Sequence, residues 1–207
     1  MLASDTIIQH NPFIIMSCLR PTFAIGSVVE INPEALREEY PDIGAITFDL
    51  DKTLTGQHDS TIPDEHLETL QGLAEAHFEL GFISNATSNE RARRVHTIAR
   101  RTGGIVGEEI IVVTSLELGG TRKPSGEPFE LMARKMSRRP HQLGYVGDQI
   151  FKDILGANRA GYGLSVLVAP FGEGDDPRVK YLQRPVEALA RLGMGLPFRA
   201  KSFGKQS

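Results

Sequence analysis

The sequence predicts an α/β domain built on a parallel sheet of about five strands, and three observations carry that expectation. Short apolar runs rich in β-formers recur along the chain, as strands buried on both faces require. Stretches with apolar residues at helical spacing lie between them. Polar residues able to do chemistry stand just past the ends of the apolar runs, where open parallel sheets gather their catalytic groups.

The first strand is Ala45-Ile46-Thr47-Phe48, running into Asp49-Leu50-Asp51-Lys52-Thr53. Asp49 and Asp51 leave the strand together and can both turn toward one site. Two carboxylates in a crevice do not both stay charged without a cation, so the spacing implies a metal or a proton-transfer role. Gly56 to Asp64 is turn-rich, and a helix follows with Leu67, Leu70 and Leu73-Ala74 on one face. Phe78 to Ile83 is the second strand and ends in Ser84-Asn85. Thr87-Ser88-Asn89-Glu90 reads as a capping box opening a helix with Val95, Ile98 and Ala99 inward. Ile110 to Val113 is the third strand. Arg122-Lys123-Pro124 precedes a helical stretch with Phe129, Met132 and Met136. Leu143-Gly144-Tyr145-Val146 is the fourth strand, ending in Gly147-Asp148 with Asp153 shortly after. The next helix stops at Gly161, and Leu164 to Val168 is the fifth strand. Beyond Pro170 the pattern weakens, and Pro185 should divide residues 177–192 into two short helices.

Composition narrows the function classes. A chain of 207 residues suits one α/β domain. Net charge of −3 gives no basic character for nucleic acid. The single cysteine, Cys18, excludes an internal disulfide and fits a reducing compartment, and the six histidines show no zinc-ligand spacing. No stretch approaches the roughly 20 apolar residues of a membrane span. The expected organisation is an N-terminal leader over 1–25, a catalytic domain over 26–195 and a basic, disordered tail over 196–207. Phe13-Ile14-Ile15-Met16 gives the leader an apolar segment, read either as packing on the domain or as lying in a membrane interface.

A carboxylate pair, a hydroxyl, a lysine and a second carboxylate pair thus fall in order at strand ends and helix starts. This four-part pattern resembles the haloacid dehalogenase-like hydrolases. Leu19-Arg20-Pro21-Thr22, the Asp49 to Leu54 run, Arg122-Lys123-Pro124, Gly147-Asp148-Gln149 and Asp153 to Arg159 resemble one branch of them in particular. These are the YqeG-type phosphatases, related to the phosphatidylglycerophosphatases of bacteria and mitochondria. Lys52 is a departure, since the branch more often has asparagine there. The resemblance implies a three-layer, Rossmann-like fold. The short intervals from Thr53 to Ser84 and from Ser84 to Lys123 leave no room for the large cap domain that many relatives insert, so the site should be open.

The resemblance also implies residue roles. Asp49 is the nucleophile that forms an aspartyl-phosphate, and Asp51 is the acid and then the base. Mg²⁺ is held by a carboxylate oxygen of Asp49, the backbone carbonyl of Asp51 and a carboxylate of Asp148. Ser84 and Lys123 bind the phosphoryl group, joined by Asn85. Thr53 supports the loop through a backbone hydrogen bond, and Asp153 supports metal waters or Lys123 from behind. Arg122, Asn158 and Arg159 divide between substrate contact and structural roles. Taken singly, Ser84 reads equally as a helix cap, Lys123 as a surface lysine and Asp153 as an acid complementing a helix dipole. The substrate implied is phosphatidylglycerophosphate. Its implied location is the cytoplasm, with peripheral contact at the inner (cytoplasmic or mitochondrial) membrane. Two alternatives stay open: a soluble phosphatase for a sugar phosphate, nucleotide or phosphoprotein, and a non-catalytic protein that binds a phosphorylated partner.

Overall fold

The computed structural model describes residues 18–172. The leader up to residue 17, the helices divided at Pro185 and the basic tail lie outside the described residues. Six strands form one parallel sheet: β1 (Phe23–Ile25), β2 (Ala45–Phe48), β3 (Glu79–Ser84), β4 (Ile111–Thr114), β5 (Leu143–Gly147) and β6 (Leu164–Val168). Their order across the sheet is β1-β6-β5-β2-β3-β4. The sequence pattern gives about five strands, and the additional one is β1, inside the segment read as leader. Three residues are too few to show a period. β1 is fixed by pairing instead: Thr22 N donates to Ser165 O at 2.8 Å, and Ser165 N donates to Thr22 Oγ1 at 3.1 Å.

The helices are α1 (Pro33–Glu39), α2 (Asp64–Glu75), α3 (Asn89–Val106), α4 (Glu127–Lys135) and α5 (Leu155–Arg159). α1 is not among the helices expected from the sequence, although Asn32 caps it and Pro33 opens it, a usual pair of start signals. At α3 the cap is Ser88, whose Oγ accepts from Arg91 N at 3.3 Å. The box anchored on Thr87 is therefore one residue early. Thr87 Oγ1 instead accepts from Arg122 at 3.3 Å.

Alternation along the strands divides the core between the two faces of the sheet. Ile46, Phe48, Leu80 and Phe82 pack with Leu70 and Leu73 of α2 and Val95 and Ile98 of α3. Ala45, Ile83 and Tyr145 pack on the other face with Phe129 and Met132 of α4 and Ala157 of α5. The result is three layers, as the resemblance implies, with no cap domain inserted among the described residues. β2 lies beside both β3 and β5. The chain runs outward from β2 through β3 to β4, then returns to β5 on the other side. The crevice beyond β2 and β5 is therefore the topological switch point of the sheet. Asp49 and Asp148 are the first residues past those two strands.

Candidate active site

Asp49 is locked to the neighbouring strand by its amide, which donates to Val146 O at 2.9 Å. Its carboxylate meets Lys123, whose Nζ donates to Asp49 Oδ1 at 2.7 Å and Asp153 Oδ1 at 2.7 Å. Lys123 also donates to the Tyr145 hydroxyl at 2.6 Å, and Tyr145 donates onward to Asp153 Oδ1 at 3.2 Å. Asp153 Oδ2 accepts from Gln149 N at 2.9 Å. Lys123, Asp148 and Asp153 are buried.

Several local features place these groups. Asp153 sits in the π-helical turn Ile150–Ile154 that follows β5. A Cβ at Gly147 would come within 2.5 Å of the Asp153 side chain, so only glycine lets this carboxylate reach the sheet end. Asn85 Oδ1 accepts from Lys123 N at 2.8 Å and so holds the loop that carries the lysine. Ser84 ends β3, and its hydroxyl lines the cleft without a hydrogen-bond partner among the described residues. Thr53 joins the loop through its amide, 3.4 Å from Leu50 O, while its hydroxyl is buried without a hydrogen-bond partner among the described residues. The side-chain closure comes from Thr55, whose hydroxyl donates to Leu50 O at 3.2 Å.

Asp51 takes a different position from Asp49. Its carboxylate pairs with Arg94 at 2.8 Å and lies 3.7 Å from Arg91, both on α3. Asp51 still lines the cleft of about 450 Å³ that also holds Asp49, Ser84, Asn85 and Lys123. Sequence reasoning misses Tyr145, Arg94 and Arg91. Tyr145 reads as one more core residue of an apolar strand, and the two arginines read as the solvated face of a helix. Of the weaker candidates, Arg122 lines the cleft. Asn158 is structural: it donates to Cys18 O at 2.7 Å and Arg20 O at 3.0 Å, tying down the chain before β1.

This geometry joins the four sequence motifs in one crevice, and comparison with known proteins now decides the family. A family profile described as mitochondrial PGP phosphatase matches residues 6–170. The chain belongs to that family. The probable phosphatase YqeG of Bacillus subtilis is 28% identical over 177 residues, covering 84% of this chain and 92% of YqeG. The glyceraldehyde 3-phosphate phosphatase of Methanopyrus kandleri is 35% identical over 95 residues, 46% of this chain and 38% of that protein. The crystal structure of an uncharacterized protein from Listeria monocytogenes superposes with a TM-score of 0.49 at 22% identity, covering 65% of this chain and 85% of that one. The protein is a haloacid dehalogenase-like phosphatase of the YqeG type.

The phosphatase's donor set suits a hard divalent cation. Asp49, Asp148 and Asp153 each offer a carboxylate oxygen, and these atoms all lie within 4.8 Å of one another. Among the described residues, no helix is long and apolar enough to cross a membrane. Burial pushes the Asp49 carboxyl up to about 7, with Asp153 and Asp148 adding to the rise against the opposing pull of Lys123. Burial pulls the Lys123 ammonium down, but Asp153 and Asp49 outweigh it and keep the lysine charged. Burial likewise holds the Tyr145 phenol well above its ordinary range, so it remains a donor.

These shifts give a stability test. A carboxyl raised in the folded state binds its proton more tightly there than in the unfolded chain. Its contribution to stability is therefore lost as pH rises from the unfolded value toward about 7, by up to about 1.4 kcal/mol per unit. In metal-free protein, the stability gained by Asp49→Asn over wild type should grow between about pH 4 and about pH 7. Added Mg²⁺ should raise the wild-type melting temperature most at the upper end. Urea unfolding in chelator checks the first, and thermal melts with chelator or with Mg²⁺ check the second; a wild type that gains stability over Asp49→Asn as pH rises contradicts the assignment.

Proposed function

We propose that this phosphatase is a Mg²⁺-dependent phosphomonoesterase that acts through an aspartyl-phosphate and converts phosphatidylglycerophosphate to phosphatidylglycerol. The observation that carries the chemistry is the buried Lys123 held between Asp49 and Asp153 at the switch point of the sheet. The substrate reading is supported by the family match over residues 6–170.

Lys123 engages only one oxygen of Asp49, which leaves the other to attack phosphorus. As that bond forms, the bond from phosphorus to the glycerol oxygen breaks. The leaving oxygen takes a proton from Asp51, which has to exchange the Arg94 guanidinium for that oxygen. Asp51 then takes a proton from water, whose oxygen attacks phosphorus and frees Asp49 and inorganic phosphate. Ser84 donates its hydroxyl to a phosphoryl oxygen, and Lys123 offsets the charge of nucleophile and phosphoryl group together. Tyr145 and Asp153 fix the ammonium that does so. Asp49, Asp148 and the Asp51 carbonyl, with Asp153 behind them, would hold Mg²⁺, which would supply charge neutralisation at the phosphoryl oxygens.

Phosphate release from dispersed phosphatidylglycerophosphate, sn-glycerol 3-phosphate and 4-nitrophenyl phosphate tests the reading. Asp49→Asn should abolish release from all three while the fold persists by circular dichroism, because an amide does not attack phosphorus. Asp51→Asn should slow the alkyl esters about 10²–10⁴-fold and the activated aryl ester far less. An equal loss on both ester types would remove Asp51 from the acid role.

The leader carries the membrane part of the proposal. A two-chain lipid stays in the bilayer, so the enzyme has to meet it there. Shallow insertion of Phe13 to Met16, at roughly 0.8 kcal/mol per buried methylene, suffices for weak and reversible contact. Deleting residues 1–17 should lower binding to anionic vesicles and turnover of the dispersed lipid, and leave sn-glycerol 3-phosphate turnover nearly intact. Equal loss on both substrates would mean that the leader stabilises the fold instead.

A further inference from the structure

Cations beyond Lys123 also line the cleft. Lys52, Arg91, Arg122 and Lys152 line the same cleft as Asp49 and Ser84. The whole chain carries a net charge of −3, so this is a local concentration against the overall balance. Lys123 is already engaged by Asp49 and Asp153. Of the rim cations, Arg91 has a carboxylate within ion-pair distance, Asp51 at 3.7 Å. Arg122 and Lys152 have none among the described residues. The Arg122 guanidinium donates to the neutral Thr87 hydroxyl.

Lys52 adds a second kind of observation. Its backbone is left-handed, with φ 70°, a conformation that asparagine and glycine adopt at less cost than lysine. The side chain is nevertheless buried against the cleft, with Nζ 3.4 Å from Gly172 O. Backbone strain retained beside a nucleophile points to use of the side chain. At about 450 Å³ the cleft has room for more than a single phosphoryl group.

We propose that Lys52, Arg91, Arg122 and Lys152 form a second anion subsite, which takes another phosphate of the same substrate while its phosphomonoester sits against Asp49. The inference rests on the phosphatase reading above and adds a selectivity to it: esters carrying two phosphates are preferred to esters carrying one. The second phosphate is the diester of a lipid headgroup or the second monoester of a soluble bisphosphate, and the shared chemistry is a phosphate oxyanion within reach of the rim.

The test compares sn-glycerol 3-phosphate, fructose 1,6-bisphosphate and glycerophosphoglycerophosphate, the last being the deacylated headgroup. The variant is Arg122→Gln with Lys152→Gln; these two side chains touch neither Asp51 nor the strained loop. Wild type should favour a two-phosphate ester by about tenfold in kcat/KM, the worth of one charge-assisted contact. The double variant should bring that ratio to about one through KM rather than kcat, and added salt should shrink it in wild type. Arg122→Lys with Lys152→Arg should retain it. Preference for the deacylated headgroup alone assigns the subsite to a diester; preference for both two-phosphate esters assigns it to any second phosphate. Equal kcat/KM for all three in wild type, or a preference untouched in the double variant, overturns the subsite. If no ester is hydrolysed, the phosphatase reading fails separately. Calorimetric binding of the same compounds then decides the subsite: tighter binding of two-phosphate esters, lost in the double variant, supports it, and equal binding overturns it.

Discussion

A single buried ammonium organises this protein's active site. Lys123 lies between two carboxylates and a phenol, where desolvation works against its charge. The charge survives because Asp49 and Asp153 both stand at 2.7 Å, and those carboxylates in turn remain in the interior because the lysine is there. Three separate stretches of chain must therefore arrive at one point. The strand pairing of β2 with β5 fixes Asp49, the π-helical turn presents Asp153, and Asn85 clamps the amide of Lys123. Gly147 belongs to the same constraint, since its missing Cβ is the space that the Asp153 carboxylate fills. Removing the lysine would leave several buried acids facing one another, a far greater penalty than the loss of one contact.

The same charge arithmetic connects structure to chemistry. With Asp49, Asp148 and Asp153 gathered within 4.8 Å, one lysine does not balance the site, and the two neighbouring acids add to the rise that burial imposes on the Asp49 carboxyl. A site with excess negative charge draws a cation, and a cation together with the lysine draws a phosphoryl group. Asp51 is separated from this balance by its pairing with Arg94 on α3. The two aspartates that differ by two positions in sequence thus sit in different electrostatic surroundings.

Much of this was legible in the sequence, for physical reasons. Strands buried on both faces leave continuous apolar runs, so β2 to β6 stand out within a residue or two of their ends. Motif residues at those ends inherit their positions from the sheet, so Asp49, Ser84 and Asp148 could be placed beyond it, and the family resemblance brought Lys123 and Asp153 to the same crevice. What escaped has equally definite causes. β1 is three residues long and is held by pairing with β6 and by Thr22, neither of which leaves a periodic signal. Tyr145 alternates correctly as a core residue, and only its hydroxyl, reaching Lys123 through the sheet face, gives it a role. Arg94 and Thr55 act through three-dimensional proximity to Asp51 and Leu50, so their helix and loop patterns show only polar residues.

The open cleft leaves one energetic problem, which its rim addresses. A phosphatase with a cap excludes water by closing over its substrate, and that exclusion strengthens each electrostatic contact inside. No cap stands among the described residues here, so the contacts at the cleft mouth operate in water and are individually weak. Weak contacts discriminate only when several act on one ligand at once. Arg91, Arg122 and Lys152 line the same cleft as Asp49 and meet that condition for an anionic substrate. A substrate whose bulk stays outside, such as a lipid headgroup still attached to its bilayer, also brings its own cover to the site. An open cleft of this kind would draw its selectivity from the charge at the mouth and its water exclusion from the substrate itself.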